Sequence, residues 1–387
     1  MERARQPKTV LSILGNRAEA IKMAPVIHEL QAIPALASVV CVAGGPLGVM
    51  DQTLGLFGLD SDYELEITSD HRSLVDLTTA SLAGLREVLQ DARPDMVLVQ
   101  GDSSASLAAA LATFFMHIPL GHIEAGLRTS DLASPWPEEF NRRTISLSAT
   151  LHFAPTAWAR QNLIAEQIPA ESIEVTGNTA VDAVCTIAAR RDEFPGLREH
   201  FSGRKLVLVN IHAHHQDPHA IQQICHSIAQ FAFENPQVSI VWPMEHHPSL
   251  WRAARETLAG LENVRVIHPI TFAEMVFLIR HCQFVVTDGG SLQEEAAAMG
   301  KPVILVRDRT ERPEAIEGGI AVLTGTDPEK IQTVMHVLAD EKSDGYQRMA
   351  QAGNPFGDGK AAGRIARRVW QELSASEKRL YRTSRVQ

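Results

Sequence analysis

Short apolar runs rich in β-branched residues alternate with longer helical patterns along almost the whole chain. That rhythm constrains the fold more than any other feature. Val10–Leu14, Val39–Val42, Met96–Val99, Gly121–Ile123, Leu151–Ala154 and Ile173–Val175 read as strands in the first half. Leu206–Val209, Ser239–Trp242, Val264–Ile267, Phe284–Thr287 and Val303–Val306 repeat the pattern in the second. Near-continuous apolar strands separated by helices predict parallel sheets covered on both faces. Between the two series, Arg190–Lys205 is polar and holds Pro195, Gly196 and Gly203, a linker composition. The 387 residues suffice for two such domains. The expected fold class is therefore α/β: two Rossmann-like doubly wound domains with a central cleft, divided at 190/191. In such sheets ligands bind beyond the carboxyl ends of the strands, so the loops that follow each strand carry the search for function.

Charge and composition exclude several classes. The chain has 36 basic and 46 acidic residues, a net charge of −10. A nucleic-acid binder carries a basic footprint instead. Residues 360–387 alone sum to +6, which leaves −16 on the remainder. A body this acidic accepts an anionic ligand only where a few cations are concentrated. Cys41, Cys185, Cys225 and Cys282 are far apart and form no Cys-x-x-Cys knuckle, so buried, reduced thiols are expected. Met1–Lys8 has no apolar leader region, and the longest apolar stretch, Leu107–Met116, is too short to span a bilayer. A soluble cytoplasmic protein with no membrane partner is expected.

The strand-end loops of the first half are rich in charge. Gly15-Asn16-Arg17-Ala18-Glu19-Ala20-Ile21-Lys22 is a glycine turn opening a helix, with free N–H groups, a positive dipole end and two cations. Taken alone, that segment is better read as a plain strand-to-helix turn with a surface Arg and Lys. Gln100-Gly101-Asp102-Ser103 ends the next candidate strand, where an Asp is often only a helix cap. His122-Ile123-Glu124-Ala125-Gly126-Leu127-Arg128 sets an acid in an apolar run. Pro135-Trp136-Pro137-Glu138-Glu139-Phe140-Asn141-Arg142-Arg143 sets two acids beside two arginines, and acids in a first helical turn would also suit the dipole. Three strand-end acids together point to one site. Neighbouring carboxylates raise one another's pKa, so one serves as acid while another serves as base, an arrangement suited to proton abstraction beside a leaving group.

In the second half, His212, His214, His215, His219, His246 and His247 cluster and invite a metal reading. No His-Glu-x-x-His pattern is present, and the histidines from 212 to 219 do not share one helical face, so no metal is expected. Asp288-Gly289-Gly290-Ser291 opens a helix and can hold a diphosphate on its amides and the Ser291 hydroxyl, although it lacks the Walker spacing. Arg307, Arg309 and Arg312 follow the next strand, and arginine suits bidentate phosphate contact. Taken alone, that run is read equally well as a solvated charged loop.

These segments, with Val175-Thr176-Gly177-Asn178-Thr179, Thr310-Glu311-Arg312-Pro313-Glu314-Ala315 and Asn354-Pro355-Phe356-Gly357-Asp358-Gly359, resemble the non-hydrolysing UDP-N-acetylglucosamine 2-epimerases. The motifs are long and run in order from about residue 9 to 370. The resemblance implies the glycosyltransferase-B fold, with a carboxylate-bearing domain 1–190, a UDP-binding domain 191–367, and a final helix 368–387 that returns to the first. It also implies a homodimer, a UDP-sugar substrate, no cofactor and a place in polysaccharide biosynthesis. The implied reaction inverts C2 of a UDP-N-acetylhexosamine by eliminating UDP to a glycal and adding it back. Asp102, Glu124 and Glu138 fall on the family's acid/base carboxylates and His212 on its cleft histidine. Arg17, Lys22, Arg142, Gly289, Gly290, Ser291 and Arg312 would hold substrate and diphosphate, and Glu295 would meet the ribose. The chemistry agrees: a weakly acidic C2 proton needs a positioned base, and a departing diphosphate needs cations and amides where charge develops.

The chain also departs from the pattern. Asn16 and Ala18 replace Thr and Pro, His212-Ala213-His214-His215 loses two arginines, and Ser291 is displaced by two places in the glycine turn. Met275 stands where an aromatic residue is expected near the uracil. The segment Ala43–Gly48 lacks the glutamine-rich stretch that binds an activating second substrate, and Glu245 falls near the place of that site's histidine. The expected outcome is an intact acid/base set without substrate activation. A hydrolysing 2-epimerase that releases N-acetylmannosamine and UDP, and a non-catalytic nucleotide-sugar sensor, are the alternatives. A glycosyltransferase fits less well, because the carboxylate set matches the epimerases.

Overall fold

The computed structural model describes residues 6–65, 67, 73–212, 218–244 and 248–383, with 376–383 as backbone only. His214, His215, His246 and His247 lie outside the described residues, as does Glu245. The chain divides into two compact units, Met1–Ala183 with Gly357–Gln387, and Val184–Phe356. The first division lies inside the helix Thr179–Arg190 rather than in the polar segment after it, and that segment forms a short helix, Pro195–Glu199.

The N-terminal unit contains β1 (Lys8–Leu14), β2 (Leu36–Val42), β3 (Tyr63–Glu64), β4 (Met96–Gln100), β5 (Leu120–Ile123), β6 (Leu151–Ala154) and β7 (Ile173–Val175). They form one sheet in the order β3-β2-β1-β4-β5-β6-β7, and its paired strands run parallel. The C-terminal unit contains β8 (Lys205–Asn210), β9 (Val238–Pro243), β10 (Val264–Ile267), β11 (Cys282–Thr287), β12 (Val303–Leu305) and β13 (Ala321–Leu323), in the order β10-β9-β8-β11-β12-β13, also parallel. All eleven expected strands form. The sequence reading misses β3 and β13, whose two or three residues leave no legible period.

Why these runs become central strands follows from what they bury. Val10, Leu11, Ile13 and Leu14 alternate between the two faces of the sheet, yet all four are fully buried. Leu11 pairs with Val39 on one side and Val97 on the other. Helices cover each face, so the β-branched run stabilises both layers, at roughly 1.5–3 kcal/mol per large side chain. In the C-terminal unit Val207, Val209, Ile240, Trp242, Phe284 and Val286 form the equivalent core with Phe231 and Met335. Cys41, Cys225 and Cys282 are buried free thiols as expected, whereas Cys185 is exposed on the helix Thr179–Arg190.

The basic C-terminal segment, 360–387, contains the helix Ala361–Thr383, which belongs to the N-terminal unit. Ala362, Ile365, Ala366, Val369 and Leu373 recur at helical spacing and are buried. This face packs against the helix Arg17–Gln31. Arg368, partly buried, pairs with Glu372 at 2.8 Å and lies 3.8 Å from Glu174 of β7.

Sheet order sets where each unit's loops gather. The order reverses between β1 and β4 in one sheet and between β8 and β11 in the other. At such switch points neighbouring connections leave in opposite directions and open a crevice beyond the strands' carboxyl ends.

Candidate active site

At the first switch point the loop after β1 meets the loop after β4. A Cβ on Gly15 would lie 2.6 Å from Ala105 Cβ and 2.7 Å from Ser103 Oγ, so only glycine lets the two turns touch. Asn16 caps the helix Arg17–Gln31 by accepting from Glu19 N at 3.0 Å. Glu19 in turn accepts from Gly15 N at 2.6 Å and Asn16 Nδ2 at 3.1 Å, and Ser106 Oγ donates to it at 3.3 Å. Burial pushes the Glu19 carboxyl up to about 7, against the lowering effect of its bonds from Ser103 and Gly15.

Asp102 is not the cap of the following helix. Ser103 takes that role, accepting from Ser106 N at 3.1 Å. The Asp102 carboxylate faces Arg142, whose Nε and Nη2 both reach Oδ2, at 2.7 and 2.6 Å. Asn141 Nδ2 donates to the Asp102 carbonyl at 2.8 Å, docking the helix Glu138–Ser148 on this loop. Glu138 lies three and four positions before Asn141 and Arg142, on the same helical face. Its Oε2 is buried and accepts no hydrogen bond. Its neighbour Glu139 is fully buried and serves as a strut, accepting from Thr129 N at 3.1 Å and pairing with Arg142 and Arg143 at 3.5 and 3.2 Å.

Glu124 follows β5 with φ of 67°, the left-handed region that a non-glycine side chain disfavours. Its carboxylate holds Lys22 Nζ at 2.7 Å and Asn178 Nδ2 at 2.8 Å on Oε1, and accepts from Gln100 Nε2 on Oε2. Lys22 and Glu124 are both more than nine-tenths buried, so each is the other's countercharge in a dry setting. His122 Nε2 donates to the Gly101 carbonyl at 2.8 Å, and burial lowers the ring to about 3, which keeps it neutral. Arg128 belongs to the support of this edge: it forks onto Glu166 with two 2.8 Å bonds.

The second switch point joins His212, after β8, to the turn after β11. The His212 N–H donates to Asp288 Oδ1 at 2.9 Å, and its ring lies 3.3 Å from where a Cβ on Gly289 would stand. A Cβ on Gly290 would meet Arg312 Nη1 at 2.3 Å, so the guanidinium occupies the space a side chain would need. Arg312 Nε donates to Glu294 Oε1 at 2.5 Å, while Glu311 bridges Arg312 and Arg307. Ser291 and Glu295 sit in the helix Gly290–Ala298 that this turn opens.

The fold thus gathers the sequence-derived residues into two groups. Asp102, Glu124, Glu138, Lys22 and Arg142 share the carboxyl edge of the first sheet, with Arg17 opening the helix that carries Lys22. His212, Gly289, Gly290, Ser291 and Arg312 share that of the second. Lys22 and Arg142, read from sequence as substrate cations, bind carboxylates of their own unit. Gln100, Asn178, Glu139, Glu294 and Glu311 had no assigned role, and only tertiary pairing reveals them. Among the described residues no group of three or more His, Cys, Asp or Glu is arranged to hold a metal ion, and no helix is long and apolar enough to cross a membrane.

The family model described as UDP-N-acetylglucosamine 2-epimerase matches residues 28–369. The chain belongs to this family. A UDP-N-acetylglucosamine 2-epimerase of Yersinia pestis is 41% identical over 365 residues, covering 92% of this chain and 96% of the relative. The crystal structure of the Neisseria meningitidis UDP-GlcNAc 2-epimerase bound to UDP-GlcNAc has a TM-score of 0.89 at 38% identity, covering 94% of this chain and 100% of that one. The Methanocaldococcus jannaschii UDP-GlcNAc 2-epimerase in complex with UDP-GlcNAc and UDP has a TM-score of 0.79 at 28% identity, covering 94% and 99%. The epimerase family therefore accounts for both sheets, and the expected α/β class with two doubly wound sheets stands.

Proposed function

We propose that this epimerase inverts C2 of a UDP-N-acetylhexosamine, UDP-N-acetylglucosamine or a close relative, without net hydrolysis. UDP leaves to give a glycal and returns with the proton on the other face. The observation that carries the reading is the carboxylate edge of the N-terminal unit: Asp102 beside Arg142, Glu124 beside Lys22, and Glu138 with an unbonded oxygen. Proton removal from a weakly acidic carbon needs one carboxylate free to accept and another able to return a proton. Cations that fix the carboxylates leave their geometry unchanged between the two half-reactions. In the C-terminal unit, the Gly289–Ser291 turn offers amides at a helix start, with His212 and Arg312 at its flanks and Glu295 for the ribose. We assign the UDP moiety to this group.

The same reading makes the protein a cytoplasmic homodimer serving polysaccharide synthesis. Supporting the dimer, Phe114 and Phe115 end one helix, Phe140 and Leu147 line its neighbour, and Val75 opens a third; all are exposed although the three helices pack side by side.

Incubation with UDP-N-acetylglucosamine in deuterium oxide, followed by proton NMR, tests the function. UDP-N-acetylmannosamine carrying deuterium at C2 is expected. Free N-acetylmannosamine would replace this reading with the hydrolysing one, and binding without exchange or product would make the protein a sensor.

A further inference from the structure

The turn Thr176-Gly177-Asn178, between β7 and the helix Thr179–Arg190, is gripped from two sides. Asn178 is 2% exposed and uses both ends of its amide. Its Oδ1 accepts from Ala180 N at 2.9 Å, capping the helix, and its Nδ2 donates to Glu124 Oε1 at 2.8 Å. An amide whose oxygen must face a helix N–H has no second orientation, so its nitrogen is committed to Glu124.

On the other side, Arg364 Nη1 donates to the Thr176 carbonyl at 2.9 Å while its guanidinium forks onto Asp358 with two 2.7 Å bonds. Gly357, at φ of 123°, comes so close that a Cβ there would lie 3.0 Å from Gly177 Cα. In the first turn of the capped helix, Asp182 accepts from Ala361 N at 3.2 Å and Ala362 N at 2.9 Å, the open N–H groups of the final helix. The chain passes between its two units at 183/184 and again at 356/357. Both passages are pinned within a few residues of one turn.

We propose that this turn is a junction through which the two chain crossings set the position of the Glu124 carboxylate, with Asn178 as the positioning residue and Arg364 as its support. The inference rests on Glu124 belonging to the acid/base set. Glu124 stands on a left-handed backbone, so its side-chain direction depends on the groups that hold it. Its donors Lys22 and Gln100 come from the helix after β1 and from β4. Its donor Asn178 comes from the segment beside the crossings. Charged and titratable groups facing Glu124 include Lys22 and, close to it in sequence on β5, His122.

Asn178→Ser keeps a good cap and removes the donor to Glu124. In this variant we expect the thermal midpoint, KM and UDP affinity of the wild type, with kcat for C2 proton exchange about 10- to 100-fold lower. Arg364→Ala is expected to lower kcat by a smaller factor at unchanged KM. Arg367→Ala, at an exposed position of the same helix, is expected to leave kcat unchanged. Carboxyl carbon NMR of Glu124 gives a second readout that needs no turnover: its titration moves upward in N178S and R364A, because an ionised carboxylate has lost a donor or that donor's support. Wild-type kcat in N178S, or an unmoved Glu124 titration, overturns the proposal. So does a joint fall of thermal midpoint, UDP affinity and kcat, which marks a merely structural turn. Failure of the wild type to exchange the proton at all would sink the epimerase reading instead, and the Glu124 titration would still decide the junction.

Discussion

In the N-terminal unit Glu124 meets a lysine 102 positions away and an asparagine 54 away, and Asp102 meets an arginine 40 away. In the C-terminal unit Arg307 and Glu311 are four apart, Glu311 and Arg312 are adjacent, and Glu294 is 18 from Arg312. Pairs that span the fold cannot shift without moving strands and helices, so they fix a carboxylate to the accuracy that proton transfer requires. Pairs inside one loop exchange partners at small cost, which would suit the proposed role of arginines that release carboxylates to take up a diphosphate. The two sheets share one topology and differ in how far their charges reach for support.

Substituting Asp102 breaks the long-range set where the largest effect is expected. Asp102→Asn should lower C2 proton exchange by about 10²–10⁴-fold while UDP affinity stays near that of the wild type. Deuterium incorporation and UDP titration calorimetry on the same sample check both halves; full exchange would remove Asp102 from the acid/base set. Next in size is a stability effect in the same unit. Glu19 is raised from 4.5 to about 7 in the folded state, so its favourable contribution is complete below pH 4.5 and is lost as pH rises through 7. Relative to Glu19→Gln, the wild type should lose about 3 kcal/mol between those limits, read from denaturant midpoints. His122, lowered to about 3, acts oppositely in both proteins, withdrawing stability as pH falls below 6.5, and cancels in the difference.

The local set is probed at Gly290. Gly290→Ala forces the Arg312 guanidinium aside, and a loop network that can rearrange should limit the loss of UDP affinity to about tenfold, roughly 1.4 kcal/mol. A loss as large as that at Asp102 would erase the contrast between the units. The smallest effect on chemistry is expected at the apolar helical face. Leu147→Lys should convert a dimer to monomer in sedimentation while C2 exchange changes little, and a variant that remains dimeric would move the interface elsewhere.

Long β-branched runs were legible because burial on both faces leaves a continuous apolar signature. β3 and β13 were not, since so few residues show neither period nor bulk. Strand-end logic singled out Asp102, Glu124, Glu138 and the Gly289–Ser291 turn, which the fold sets at the carboxyl edges of the two sheets. It could not tell Glu138 from Glu139, because which of two adjacent acids becomes the fully buried strut depends on the phase of their helix against its unit. Nor could it find Gln100 or Asn178, polar residues whose meaning comes from a carboxylate far away in the chain. The arginine run 307–312 was readable as a group, but its balance by Glu294 and Glu311 was not.

The division of the chain also bears on its synthesis. The C-terminal unit, 184–356, is one continuous stretch, whereas the N-terminal unit is assembled from residues 1–183 and 357–387. A growing chain therefore holds every residue of its second unit before its first can be finished. Asp182 has no helix to cap until Ala361 and Ala362 have emerged, and the helix Arg17–Gln31 keeps an uncovered apolar face until then. The half that was translated first is the last to close.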